Sequence, residues 1–195
     1  MSNYNLLIEK LDAFIRKYYK NQLIRGAIYS FTLLLAFYLA VTTLEYFGHF
    51  STTLRTILFY SFIGGNIFII GKYVVVPLRH LYRFGKIISR EQAAVIIGQH
   101  FPEVKDKLLN VLQLHQQAEE TSAEQRVSRE LVLAGIDQKT IELKPVPFSS
   151  AINFGENKKY LRYAFIPLLI LVVIIVAAPS MIKESTKRLI EHNFF

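Results

Sequence analysis

Charge is missing from three long stretches of this sequence, and that absence dictates most of what the chain can become. No Asp, Glu, Lys or Arg lies between Arg25 and Glu45, between Arg55 and Lys72, or between Arg162 and Lys183. Each run, with its flanks, supplies the ~20 residues that a helix needs to cross the ~30 Å hydrocarbon core of a bilayer. The predicted fold class is therefore an all-α membrane protein: three transmembrane helices plus a small cytoplasmic helical bundle. The spans are read as Ile24–Phe47, Leu54–Val76 and Leu161–Met181. The short segment Gly48–Thr53 forces the first two into an antiparallel hairpin. Pro167 falls near the start of the third span, and Pro179 is expected to end or kink it.

The domain boundaries follow: an amphipathic N-terminal helix (1–23), the hairpin (24–76), a cytoplasmic helical insert (77–160), the third span (161–181) and the start of an extracytoplasmic segment (182–195). The first span reads as a retained anchor and not a cleaved signal, since Glu9 and Asp12 precede a run longer than a signal's apolar core and no A-x-A site follows. Hydrophobic residues make up 52% of the chain and mean hydropathy is +0.28, beyond what a soluble domain of 195 residues usually shows. The net charge of +8 first signals topology, because the basic residues flank the spans. Absence of cysteine excludes disulfide frameworks, thiolate metal sites and cysteine nucleophiles.

Orientation is read from Lys and Arg near the span ends. Arg16, Lys17, Lys20 and Arg25 precede span one. Arg79, Arg83, Lys86 and Arg90 follow span two, and Lys158, Lys159 and Arg162 precede span three. These place the N-terminus and the insert in the cytoplasm, with the hairpin tip and C-terminal end outside; Lys183, Lys187 and Arg188 are a smaller opposing group. Arg79, Arg83, Lys86, Arg90, Lys158, Lys159 and Arg162 are the candidate lipid-headgroup and topology residues. Tyr29, Tyr46, Tyr73, Tyr160 and Tyr163 lie where aromatic belts sit.

Outside the spans, Tyr4, Leu7, Ile8, Leu11, Phe14, Ile15 and Tyr18 form one helical face. That helix can lie on the membrane or pack on the insert. Ser89-Arg90-Glu91-Gln92 is a capping box opening a helix that ends near His100. Pro102 opens the next, with Val104, Leu108, Val111, Leu112 and His115 on one stripe. Ser122-Ala123-Glu124-Gln125 is a second capping box, and the helix after it carries Val127, Leu131, Ala134, Gln138 and Ile141. Lys144-Pro145-Val146-Pro147-Phe148 stops that helix and is expected to be extended. Residues 182–190 suit a helix leaving the membrane. The terminal Phe194-Phe195 leads to the expectation that the natural chain continues.

This layout resembles a large family of Gram-negative inner-membrane proteins common in Bacteroidota. The resemblance rests on Phe101-Pro102-Glu103-Val104-Lys105-Asp106-Lys107-Leu108-Leu109-Asn110-Val111-Leu112-Gln113-Leu114 and on Ala151–Arg162 leading into span three. It implies a membrane hairpin, a helical cytoplasmic insert, a third span and then a long periplasmic part. It carries no catalytic residues over.

Chemistry-bearing groups are sparse. His49, His80, His100, His115 and His192 are scattered, with no ligand spacing. There is no G-x-x-x-x-G-K-[ST], G-x-G-x-x-G or G-x-S-x-G. Glu119, Glu120 and Glu124 read as a solvated turn, and Glu45 as an interfacial carboxylate. Asn66 is expected to hydrogen-bond a neighbouring helix. Ala36, Ala40, Ser61, Gly64, Gly65, Asn66 and Gly71 are the candidate helix-packing or partner-contact residues, because small side chains let helices approach closely.

No catalytic residues, cofactor or metal are expected, and nucleic acid and small-molecule substrates are not indicated. The expected partners are the lipid bilayer and other membrane proteins of an envelope complex, or further copies of the chain. The function read from this is a non-enzymatic inner-membrane anchor or scaffold. The alternatives are an accessory subunit of a transporter or channel, or the membrane anchor of an enzyme whose active site lies outside this chain.

Overall fold

The computed structural model describes residues 3–82, 88–120 and 126–191, with the side chains of residues 120 and 126–129 outside that description. Helices α1 (Asn3–Gly48), α2 (Thr52–Ile70), α3 (Val76–Leu81), α4 (Arg90–His100), α5 (Pro102–Glu120), α6 (Arg126–Leu143), α7 (Lys158–Ala177) and α8 (Pro179–Ile190) are joined by turns. Among the described residues no strand occurs. Stretches within Asn3–Gly48, Thr52–Leu81 and Phe148–Ala177 are long and apolar enough to cross a membrane. The described residues are all-α, with three helices of membrane-spanning length and apolarity. It divides into two compact units, one of residues 1–21 and 83–153 and the other of residues 22–82 and 154–195.

The first unit is a helical bundle built by ordinary apolar burial. Leu7, Leu11, Phe14 and Ile15 of α1 are buried with Ala93, Ala94 and Ile97 of α4, Val104, Leu108, Val111 and Leu112 of α5, and Phe148. The N-terminal helical face is thus covered by the chain itself. The capping box at Ser89 forms in full: Gln92 N–H donates to Ser89 Oγ at 3.2 Å, and Ser89 N–H donates to Gln92 Oε1 at 2.9 Å. Helix α4 stops at His100 because Phe101 precedes a proline and is driven out of the helical region, to φ −124° and ψ 80°. His115 ends the α5 stripe by stacking on Tyr4, with ring centroids 3.8 Å apart.

Helix α1 runs unbroken from Asn3 to Gly48. Two expectations for this unit are corrected. The α6 stripe is another one: Ile136, Thr140 and Leu143 are buried, while Leu131 is 71% and Ile141 54% exposed, with Ala134 and Gln138 also exposed. Both sets recur at three- and four-residue spacing, so periodicity alone cannot choose between them. The segment Lys144–Phe148 is a pair of tight turns, not extended; Val146 N–H donates to Leu143 O at 3.2 Å and Phe148 N–H to Val146 O at 3.1 Å. Lysines on α1 bond carbonyls at either end of these turns: Lys10 Nζ donates to Lys144 O, and Lys17 Nζ donates to Ser149 O at 2.7 Å. The second capping box, Arg83, Lys86, His192, Phe194 and Phe195 lie outside the described residues, as does the side chain of Val127.

In the second unit, α7 keeps Pro167 inside it, buried, and ends at Ala177. Pro179 does terminate the span, four residues earlier than expected, by opening α8 at its first turn. Helix α8 buries Met181, Ser185 and Leu189 and packs on α2.

The α6 face is tested by truncation. Ile136→Ala is expected to lower stability by about 3 kcal/mol, and Ile141→Ala by less than about 0.5 kcal/mol, in thermal or denaturant unfolding of the purified chain. Acid should also loosen the first unit. The Ser89 hydrogen bond, helped by the α4 backbone, holds the Glu91 carboxyl below 4.5, and a hydrogen bond from Lys107 does the same for Glu142. Depressed folded values stabilise above the unfolded pKa and lose that stabilisation as pH falls through the folded value. The melting temperature should therefore fall below about pH 4.5, and Glu91→Gln/Glu142→Gln should flatten that slope.

Candidate functional site

The membrane-facing surfaces are organised from the hairpin tip. Helix α1 ends because His49 takes a left-handed conformation, φ 41°, and its N–H donates to Glu45 O at 3.1 Å. Ser51 is extended and α2 starts at Thr52, so the turn is only His49–Ser51. That turn brings Glu45 and Arg55 face to face. Arg55 Nε donates to Glu45 Oε1 at 2.9 Å, and Arg55 Nη2 donates to Phe50 O at 3.0 Å. The side chains are 0% and 7% exposed. Glu45 is thus half of a buried ion pair, while its Oε2 makes no hydrogen bond. A lone acid and a lone base at matching levels of two antiparallel spans were the available signal, and sequence reasoning left them unpaired.

Further down the hairpin, contacts are steric. A Cβ on Gly65 would lie 2.7 Å from the Phe37 ring, and one on Gly26 would lie 1.8 Å from Tyr73 O. The Gly26 crossing was not expected. It coincides with a π turn at Gly71–Val75, followed by Pro77, which lacks the N–H that an α-helix would offer to Tyr73 O. The other candidate packing residues are placed differently. Ala36, Ala40, Ser61 and Gly64 are exposed, and neither Gly64 nor Gly71 has an atom within 4 Å of an added Cβ. The buried positions of α1 here are Leu39, Val41, Thr42 and Glu45, and Ala36 and Ala40 lie off that stripe. Asn66 Nδ2 donates to Phe62 O within α2, not to a neighbouring helix.

At the opposite end of the spans, aromatic and basic groups interleave. Tyr29 lies 6.0 Å from Tyr73 and 5.0 Å from Tyr160, ring centre to ring centre. Arg25 and Lys159 each approach the Tyr160 ring to 5.1 Å. Arg79, Lys158, Lys159 and Arg162 are exposed, as headgroup contact requires. Arg90 belongs to the first unit, where it lies 3.9 Å from Asp12.

Helix α8 closes the tip side. The Tyr38 and Thr186 hydroxyls are hydrogen-bonded at 2.7 Å. Beside them is a cavity of about 160 Å³ walled by Val41 of α1, Phe59 and Phe62 of α2, and Leu189 and Ile190 of α8. Among the described residues no group of His, Cys, Asp and Glu side chains could hold a metal ion. No family model, curated protein or solved structure matches the chain.

The clamp gives a clear test. Glu45→Leu strands a buried guanidinium and should destabilise the detergent-solubilised chain by about 3–5 kcal/mol. Glu45→Leu/Arg55→Leu should recover most of that loss, as read by unfolding titration in mixed micelles.

Proposed function

We propose that this chain is a non-enzymatic anchor and scaffold in a bacterial inner membrane, holding a helical unit at the cytoplasmic face and an extracytoplasmic region on the other side. Membership of the Gram-negative family it resembles belongs to the same proposal. Positive charge at Arg79, Lys158, Lys159 and Arg162 favours a cytoplasmic placement of those ends.

The observation that carries the reading is the outward-facing set of small residues on the spans. Ala36, Ala40, Ser61 and Gly64 are exposed, and Gly64 faces open space. Lipid gains little by touching small side chains, whereas another helix gains close backbone approach. The outward α6 stripe of Leu131, Ala134 and Ile141 offers a second helix-sized apolar surface. The work assigned to the protein is assembly with other membrane proteins of the envelope, or with its own copies.

Substitutions at adjacent glycines separate partner docking from internal packing. Gly64→Leu should leave folding intact and reduce stoichiometric partners or self-association in mild detergent by about tenfold. Gly65→Leu should instead disturb the hairpin through Phe37. Recovery of a lone, monomeric chain from its native membranes would overturn the scaffold reading and bring the transporter-subunit alternative forward.

A further inference from the structure

The cavity beside α8 has no role in the scaffold reading. Its wall presents carbon only, because the Tyr38 and Thr186 hydroxyls satisfy each other at its rim. An apolar void of about 150 Å³ stays dry and accepts a guest about the size of a six-carbon ring. This one is about 160 Å³. A partner helix, about 10 Å across, does not fit; a segment of hydrocarbon chain does. Val41 and Phe59 each lie seven residues from the helix ends at Gly48 and Thr52, or ~10 Å along the axis, the depth of the upper part of an acyl chain.

The polar side of α8 selects the headgroup. Lys183 and Lys187 are exposed and one turn apart, flanking Thr186 and Ile190 at the cavity. Arg188 follows, 3.8 Å from Glu184. From Pro179 to Ile190 the helix carries three basic residues and one acid. We propose that this cavity binds one acyl chain of an anionic glycerophospholipid, with the lipid phosphate held by Lys183 and Lys187. The site needs only that the spans cross a bilayer, and it stands or falls independently of the scaffold role.

Native mass spectrometry of the full chain, extracted in mild detergent and incubated with phosphatidylglycerol or phosphatidylcholine, tests it. One phosphatidylglycerol per chain should be retained in preference to phosphatidylcholine. Each lysine is worth about fivefold in affinity for an anionic headgroup, so Lys183→Gln/Lys187→Gln should remove the preference. Val41→Phe, which fills the cavity, should prevent retention of either lipid while circular dichroism shows unchanged helix content. Because the chain has no tryptophan, Phe59→Trp provides a second measurement. Brominated phosphatidylglycerol should quench it at a lower mole fraction than brominated phosphatidylcholine, whereas Ile57→Trp, on the exposed side of α2, should respond to both alike. Equal retention and quenching by the two lipids, or a preference that survives the double lysine substitution, would overturn the proposal.

Discussion

A bilayer interior offers no hydrogen-bond partners, and every feature of the second unit answers to that. Backbone groups must be satisfied within each span, so only helices serve. Apolar side chains then gain nothing by choosing a neighbouring helix over lipid. What holds the spans is a short set of specific contacts. Gly26 lies against Tyr73 O, Gly65 against Phe37, Glu45 bonds to Arg55, and Tyr38 bonds to Thr186. The buried ion pair matters most among these, because removing either charge leaves the other buried without its counter-ion. The three-residue turn that precedes Arg55 is what permits it.

The first unit obeys the opposite rule. Its core is a set of aliphatic and aromatic side chains removed from water, with Leu11, Phe14, Leu108, Val111 and Ile136 at most 1% exposed. Hydrophobic burial is the driving force there. Polar contacts shape its edges: a capping box at Ser89, lysine bonds to turn carbonyls, and Lys107 to Glu142 at 2.8 Å across α5 and α6. Helix α1 contributes to both units, and its buried side chains change from wholly apolar Leu7, Leu11, Phe14 and Ile15 to Leu39 and Val41 joined by the polar Thr42 and Glu45.

The functional proposals draw on what these contacts leave over. Small residues not used inside the hairpin remain for a partner, and the amphipathic α8 leaves an apolar void beside a basic strip. Both surfaces are suited to association.

The sequence by itself determined the class of structure, because uncharged runs of span length have few other fates and because capping boxes and prolines act locally. Ser89 and Pro102 each mark a helix boundary where they were expected to, and Pro179 ends a helix four residues short of the expected limit. Tertiary structure decided everything that depends on which face meets which. Ile136 was chosen over Ile141 on α6, Gly65 over Gly64 on α2, and Gly26 was paired with a π turn that no pattern announces. The two α6 stripes, two residues apart, have the same period, so only the neighbouring element distinguishes them. Likewise Glu45 and Arg55 are ten positions apart in sequence, and only the turn between them turns two isolated charges into a clamp.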